Sequence, residues 1–169
     1  MRDATSFDEF YRSTSRRMLR YGYAVAGDHT EAQDLVQEAY ARAWRQWAGL
    51  AAHPAPEAWL RLVVARLATD RWRRLQGWRA ALSRTGPPEP VPPPNEDAVL
   101  LAGALRRLPA AQRQALALHY LLDMSVQDIA RETRVPAGTV KSWLSRGRAR
   151  LATLLPGLPA EELEANDVA

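Results

Sequence analysis

Ser125-Val-Gln-Asp-Ile-Ala-Arg-Glu-Thr133, then Arg134-Val-Pro136, then Ala137-Gly-Thr-Val-Lys-Ser-Trp-Leu-Ser-Arg-Gly-Arg-Ala-Arg-Leu151 is the stretch that decides the fold. Ser125, three residues before Asp128, is a helix N-cap, because its hydroxyl can accept the orphan amide of the first turn. A short helix is expected over Val126–Thr133, a tight turn after it, and a long helix from about Pro136 to Leu154. Proline suits a helix start, since its missing donor would be unpaired there anyway. Along the long helix Val140, Leu144, Gly147 and Leu151 recur at i, i+4, i+7 and i+11, one face for packing. Lys141, Ser142, Ser145, Arg146, Arg148 and Arg150 lie elsewhere around the cylinder. Two helices joined by a tight turn, the second long and basic, have the geometry of a helix-turn-helix.

Two further helices are expected upstream, Asp97 to Arg107 and Ala110 to Leu121, separated by Leu108-Pro109 and followed by a turn at Asp123-Met124-Ser125. Before them, six of the chain's 12 prolines fall between Pro87 and Pro94. Proline removes an amide donor and disfavours helix in its predecessor, so residues 85–96 read as an extended linker. The predicted domains are therefore 1–84 and 97–155, with a short tail at 156–169.

The N-terminal part has the same helical period. A first helix is expected from about Ser6 to Val25, stopped by Gly27. Asp28-His-Thr-Glu31 has the form of a capping box. The helix it opens carries Ala32, Leu35, Val36, Ala39, Tyr40, Ala43, Trp44 and Trp47 on one broad stripe, and leaves Asp34, Gln37, Glu38, Ala41, Arg42 and Arg45 outside it. Gly49 and Pro54-Ala-Pro56 end it. A third helix, about Glu57 to Ala80, has Trp59, Leu60, Val63, Val64, Leu67, Ala68 and Trp72 as its expected buried side. The fold class is all-α: an N-terminal helical bundle and a C-terminal four-helix helix-turn-helix domain joined by a proline-rich linker.

Composition narrows the chemistry. With 47% hydrophobic and 25% charged residues, the chain is of ordinary globular composition. It has no cysteine, which removes disulfides, thiolate catalysis and sulfur-ligated zinc. His29, His53 and His119 are far apart, so no histidine metal site is expected, and surface or boundary positions suit them. No apolar run reaches membrane-spanning length, and the first residues lack a signal-peptide pattern, so a cytoplasmic location is expected. Residues 1–84 hold 14 arginines against 9 carboxylates, and residues 96–151 hold 9 basic against 5 acidic residues. Arginine's planar fork suits phosphate, although a genome rich in arginine codons would leave the same mark.

Residues 108–151 closely resemble region four of extracytoplasmic-function (ECF) sigma factors of the sigma-70 family, of an actinobacterial kind. Separately, Gly27-Asp28…Glu31-Ala-Gln-Asp34-Leu-Val-Gln37-Glu38…Trp44 and Trp59-Leu60…Asp70-Arg-Trp-Arg-Arg74 resemble region two. The resemblance implies a promoter-recognition subunit of bacterial RNA polymerase with no catalysis and no cofactor of its own. It implies that Asp34, Gln37 and Glu38 meet the β′ clamp helices of core polymerase, with the β subunit as a further contact. It makes Arg61, Arg66, Arg71, Arg73 and Arg74 available to the opened minus-ten element, and Lys141, Ser142, Ser145, Arg146 and Arg148 to the minus-thirty-five element. An anti-sigma factor is an implied partner.

Three positions depart from the family pattern. Arg66 stands where many relatives carry asparagine, Arg134 where the turn often holds glycine, and Trp143 where arginine is common. Trp143 either packs on a sugar-phosphate backbone or covers the domain. A different class of function also fits a helix-turn-helix: a free-standing transcriptional regulator whose N-terminal bundle senses a ligand or dimerises. A helical adaptor without nucleic acid is a third reading. An enzyme fits least, since no nucleophile–base pair, phosphate-cradling glycine loop or metal cluster is present.

Overall fold

The structure, a computed structural model, describes residues 3–81 and 96–155. The proline-rich stretch, apart from Glu96, and the tail after Leu155 lie outside the described residues. The chain divides into two compact units, Met1–Pro92 and Pro93–Ala169. The described elements are all helices: α1 (Ala4–Ala26), α2 (His29–Arg45), α3 (Trp47–Leu50) and α4 (Pro56–Ala81) in the first unit, and α5 (Glu96–Arg106), α6 (Ala110–Leu121), α7 (Val126–Thr133) and α8 (Ala137–Leu154) in the second. None of them is long and apolar enough to cross a membrane.

In the first unit α1, α2 and α4 pack pairwise. Gly27 stops α1 as its sequence position suggests: at φ 74° it takes the left-handed conformation that glycine tolerates, and its amide closes on the Tyr23 carbonyl at 2.8 Å. Asp28 then caps α2, accepting the Glu31 amide at 2.8 Å. The core holds Met18, Tyr21, Ala32, Leu35, Ala39, Leu60 and Val64. Fully burying a side chain such as Met18 or Leu60 contributes roughly 1.5–3 kcal/mol.

α2 does not run on through Trp47. Gln46, at φ −118° and ψ 21°, breaks the helix, and Trp47 opens the short α3. The break turns Trp47 into an aromatic cluster, with Phe7 at 5.2 Å and Phe10 at 5.0 Å between ring centroids, and its indole N–H donates to the Ser6 hydroxyl at 2.9 Å.

The third helix corrects one expectation. Trp72 is not on its buried side but 44% exposed. Residues spaced by four drift about 40° around an α-helix at each step, so three steps from Leu60 through Val64 and Ala68 carry Trp72 about 120° away. Arg71 and Leu75, both half-buried, continue the inner line instead.

In the second unit α8 packs on α5, α6 and α7. Val140, Leu144, Gly147 and Leu151 form its buried face, as their spacing indicates. A Cβ at Gly147 would lie 2.8 Å from Leu116 Cδ1, so α8 approaches α6 too closely for any larger residue without displacing that leucine. Pro136 sits one place earlier than expected, at the N-cap of α8.

Of the surface or boundary positions expected for the histidines, His119 takes one at the edge of the core, buried on α6. Its Nδ1 lies 2.8 Å from the Met124 carbonyl, which can only accept, so Nδ1 carries the proton. α6 is enclosed on more sides than an amphipathic reading allows, and the ring satisfies a turn carbonyl there.

Between α1 and α2, Thr14 donates to the Phe10 carbonyl at 2.6 Å, which leaves the Tyr40 hydroxyl to donate to Thr14 Oγ1 at 2.7 Å. Burial pushes the Tyr40 hydroxyl up to about 12. The folded chain thus keeps a proton that the unfolded chain loses near pH 10. Stability from this site is complete below about pH 10 and lost as pH rises toward about 12. Denaturation midpoints measured across that range should fall with pH, and Tyr40→Phe should flatten the fall.

Candidate functional site

α2 exposes Asp34 and Gln37 and leaves Glu38 half-buried, on the side away from its buried stripe. Glu38 takes a hydrogen bond from Arg42 Nε at 2.8 Å, and that bond, with the charges of Arg42 and Arg45, holds its carboxyl below the ordinary range. Asp34 pairs across to α4, its carboxylate 3.6 Å from the Arg71 guanidinium. The two helices border a cleft of about 760 Å³ in which Asp34, Glu38 and Asp70 alternate with Arg42, Arg71 and Arg74 over an apolar lining of Leu35, Leu67 and Leu75.

The five arginines grouped by sequence therefore do not share one face. Arg71 and Arg74 line the cleft beside the α2 carboxylates. Arg66 and Arg73 are exposed on another side of α4. Arg61 is held near the bundle, its side chain 13% exposed and 3.4 Å from Glu57, which also binds Arg17 at 2.9 Å. The Glu38–Arg42 pair was readable from i,i+4 spacing. The parts of Asp70 and Arg71 in the cleft were not, because they depend on how α4 docks against α2.

In the second unit Ser125 caps α7, accepting the Asp128 amide at 3.1 Å and donating to Asp128 Oδ2 at 2.8 Å. Those bonds, and one from Arg131, lower the Asp128 carboxyl below its usual range. Arg134 ends α7 at φ 57° and ψ 41°, and its amide returns to the Ala130 carbonyl. α8 then presents Lys141, Ser145 and Arg146 to solvent, with Ser142 half-exposed beside them. Arg148 is drawn aside: it is half-buried, and its guanidinium donates to the Tyr120 hydroxyl of α6 at 3.3 Å. Trp143 is half-buried too. Arg113, which the sequence did not single out, is buried on α6, and burial lowers its guanidinium below the ordinary value.

Comparison with known proteins bears on both units. The family description "Sigma-70 region 2" matches residues 10–79, and "Sigma-70, region 4" matches residues 98–151. The RNA polymerase sigma-E factor of Streptomyces antibioticus is 32% identical over 98% of this chain and 89% of its own length. The chain belongs to the sigma-70 family. Within it the chain is an RNA polymerase sigma factor of the ECF type, similar also to the ECF RNA polymerase sigma factor SigM of Mycobacterium tuberculosis, 34% identical over 90% of this chain and 79% of that one. Among solved structures, the sigma factor RpoE of Bartonella quintana, crystallised with the anti-sigma factor NepR, matches at a TM-score of 0.64 with 24% identity, covering 89% of this chain and 99% of that one. That match supports the sigma-factor fold of this chain.

At Arg134 the sigma factor holds a residue with a Cβ in the left-handed region, where such residues cost roughly 1–2 kcal/mol. Arg134→Gly should stabilise the α7–α8 pair by up to about 1 kcal/mol after glycine's own entropy is counted, while Arg134→Ala should not. Native-state hydrogen exchange of the α7 and α8 amides checks both.

Proposed function

We propose that this sigma factor binds core RNA polymerase through its first unit and reads promoter DNA with both units. The observation that carries the reading is the outer side of α2: Asp34, Gln37 and Glu38 stand free of the bundle core on a rigid, well-capped helix. A polar, acidic helix face of this kind complements a basic partner surface, and family likeness assigns it to the β′ clamp helices. The exposed Arg66 and Arg73 of α4 face the phosphates of the opened minus-ten element, with Arg71 and Arg74 at the edge of the cleft. Arg61, engaged with Glu57, acts by positioning α4.

In the second unit Lys141, Ser142, Ser145 and Arg146 meet the minus-thirty-five element, in the manner of a recognition helix in a major groove. Arg148 supports them from its bond to Tyr120. The β subunit of polymerase and an anti-sigma factor are the further protein partners of this reading. The chain supplies no catalytic group or cofactor, and it works in the cytoplasm with the polymerase.

The deciding experiment is transcription in vitro. Purified chain plus core polymerase should initiate from a subset of a promoter library, whereas a free-standing regulator would instead bind duplex DNA tightly without polymerase. Reversing charge at Asp34 and Glu38 together should weaken core binding at unchanged helicity, measured by fluorescence anisotropy and circular dichroism. Arg146→Ala should weaken minus-thirty-five duplex binding, and if Arg146 holds a phosphate it should reduce the slope of log affinity against log salt by about 0.9.

A further inference from the structure

α5 carries an apolar surface that the second unit leaves uncovered. Its buried residues are Ala102, Ala104 and Leu105, while Val99, Leu100 and Leu101 stand 39%, 61% and 40% exposed. No other large aliphatic side chain is exposed among the described residues. Scattered exposed leucines are ordinary on a protein surface, but three consecutive aliphatic residues form a patch.

The patch has ends of opposite charge. Glu96, Val99, Leu100, Gly103 and Arg106 fall at i, i+3, i+4, i+7 and i+10, which is one side of an α-helix, and all five are exposed. The line runs from a carboxylate, past two apolar side chains and a bare glycine, to a guanidinium, with the exposed Arg107 just beyond. Glycine weakens a helix interior, yet a Cβ at Gly103 would meet nothing within 4 Å, so no neighbour in the unit demands it.

Such a surface is complementary to itself. A second α5 laid against it antiparallel brings Glu96 opposite Arg106 and Arg107 at both ends. It also seats Val99 and Leu100 over Gly103 of the other copy, where the missing side chain lets the backbones approach. A two-fold axis near Leu101 and Ala102 serves all of these contacts. A parallel arrangement would set carboxylate by carboxylate and guanidinium by guanidinium, and is disfavoured.

We infer that α5 is a self-association surface, through which two copies of this chain pair as an antiparallel helix dimer. The 11 residues of α5 span about 16 Å, and two helices of that length bury less than the roughly 1,200 Å² of stable complexes. The dimer is accordingly weak and reversible, with a dissociation constant on the order of 100 µM. The pairing needs neither polymerase nor DNA, so it stands apart from the proposed function.

The test is analytical ultracentrifugation of the full chain from about 10 µM to about 1 mM. The mass should rise with concentration from monomer toward dimer and no further. Leu100→Gln and Gly103→Gln should each raise the dissociation constant about 10-fold or more. Gly103→Gln adds a side chain where the single unit has open space, so it should fold as the parent does, which circular dichroism checks. Glu96→Arg alone, or Arg106→Glu with Arg107→Glu, should weaken the pairing several-fold. All three changes together should restore it, because an antiparallel pair then matches opposite charges again at both ends.

A chain that stays monomeric up to about 1 mM overturns the inference. So does a dimer indifferent to both Leu100→Gln and Gly103→Gln, which must use another surface. Mass that climbs past the dimer without levelling overturns it too, since a two-fold contact closes on itself.

Discussion

The first unit depends on a single constraint: α4 is rich in arginine, yet among its described side chains only one narrow line, Leu60, Val64 and Ala68, is buried. A guanidinium in that core without a partner would cost several kcal/mol. Docking the apolar line against α1 and α2 therefore pushes each charge to an edge and decides which edge. Arg71 and Arg74 fall toward α2 and its carboxylates, Arg66 and Arg73 fall away from them, and Arg61 finds Glu57. One helix thus serves two surfaces of different character.

The second unit solves a related problem with α8, which must pack on α6 and still leave a side free. Gly147 allows the close approach, and the buried face spaced by Val140, Leu144 and Leu151 fixes the rotation. Lys141, Ser145 and Arg146 are then exposed by consequence. Arg134 accepts backbone strain to make the turn between α7 and α8, and in the turn between α6 and α7 His119 satisfies the Met124 carbonyl. A buried polar group in such a turn needs a partner, and the imidazole supplies the donor.

Helix class, order and most boundaries were legible in the sequence because they rest on local chemistry: Asp28 and Ser125 as caps, Gly27 as a stop, and the i,i+4 rows of α2 and α8. What was not legible depends on docking. The apolar row of α4 drifts off the core before Trp72, which no inspection of tryptophan as a residue type reveals. Grouping the arginines by sequence proximity ignored that neighbours in a helix point about 100° apart. The Arg148–Tyr120 bond joins residues 28 apart. The break at Gln46 has no glycine or proline to announce it, and it accompanies the packing of Trp47 against Phe7 and Phe10.

The Asp34–Arg71 pair means that the acidic and basic surfaces of the first unit are not independent ligand sites. Both groups are about half exposed, so the pair contributes at most about 1 kcal/mol. Reciprocity still applies to it: a partner that claims the Asp34 carboxylate leaves Arg71 uncompensated beside Arg74, raising the local pull on an anion. An anion that claims Arg71 frees Asp34 in turn. Under the proposed function, the same few ångströms of contact would let polymerase and promoter each modestly promote the other's grip, without any helix having to move.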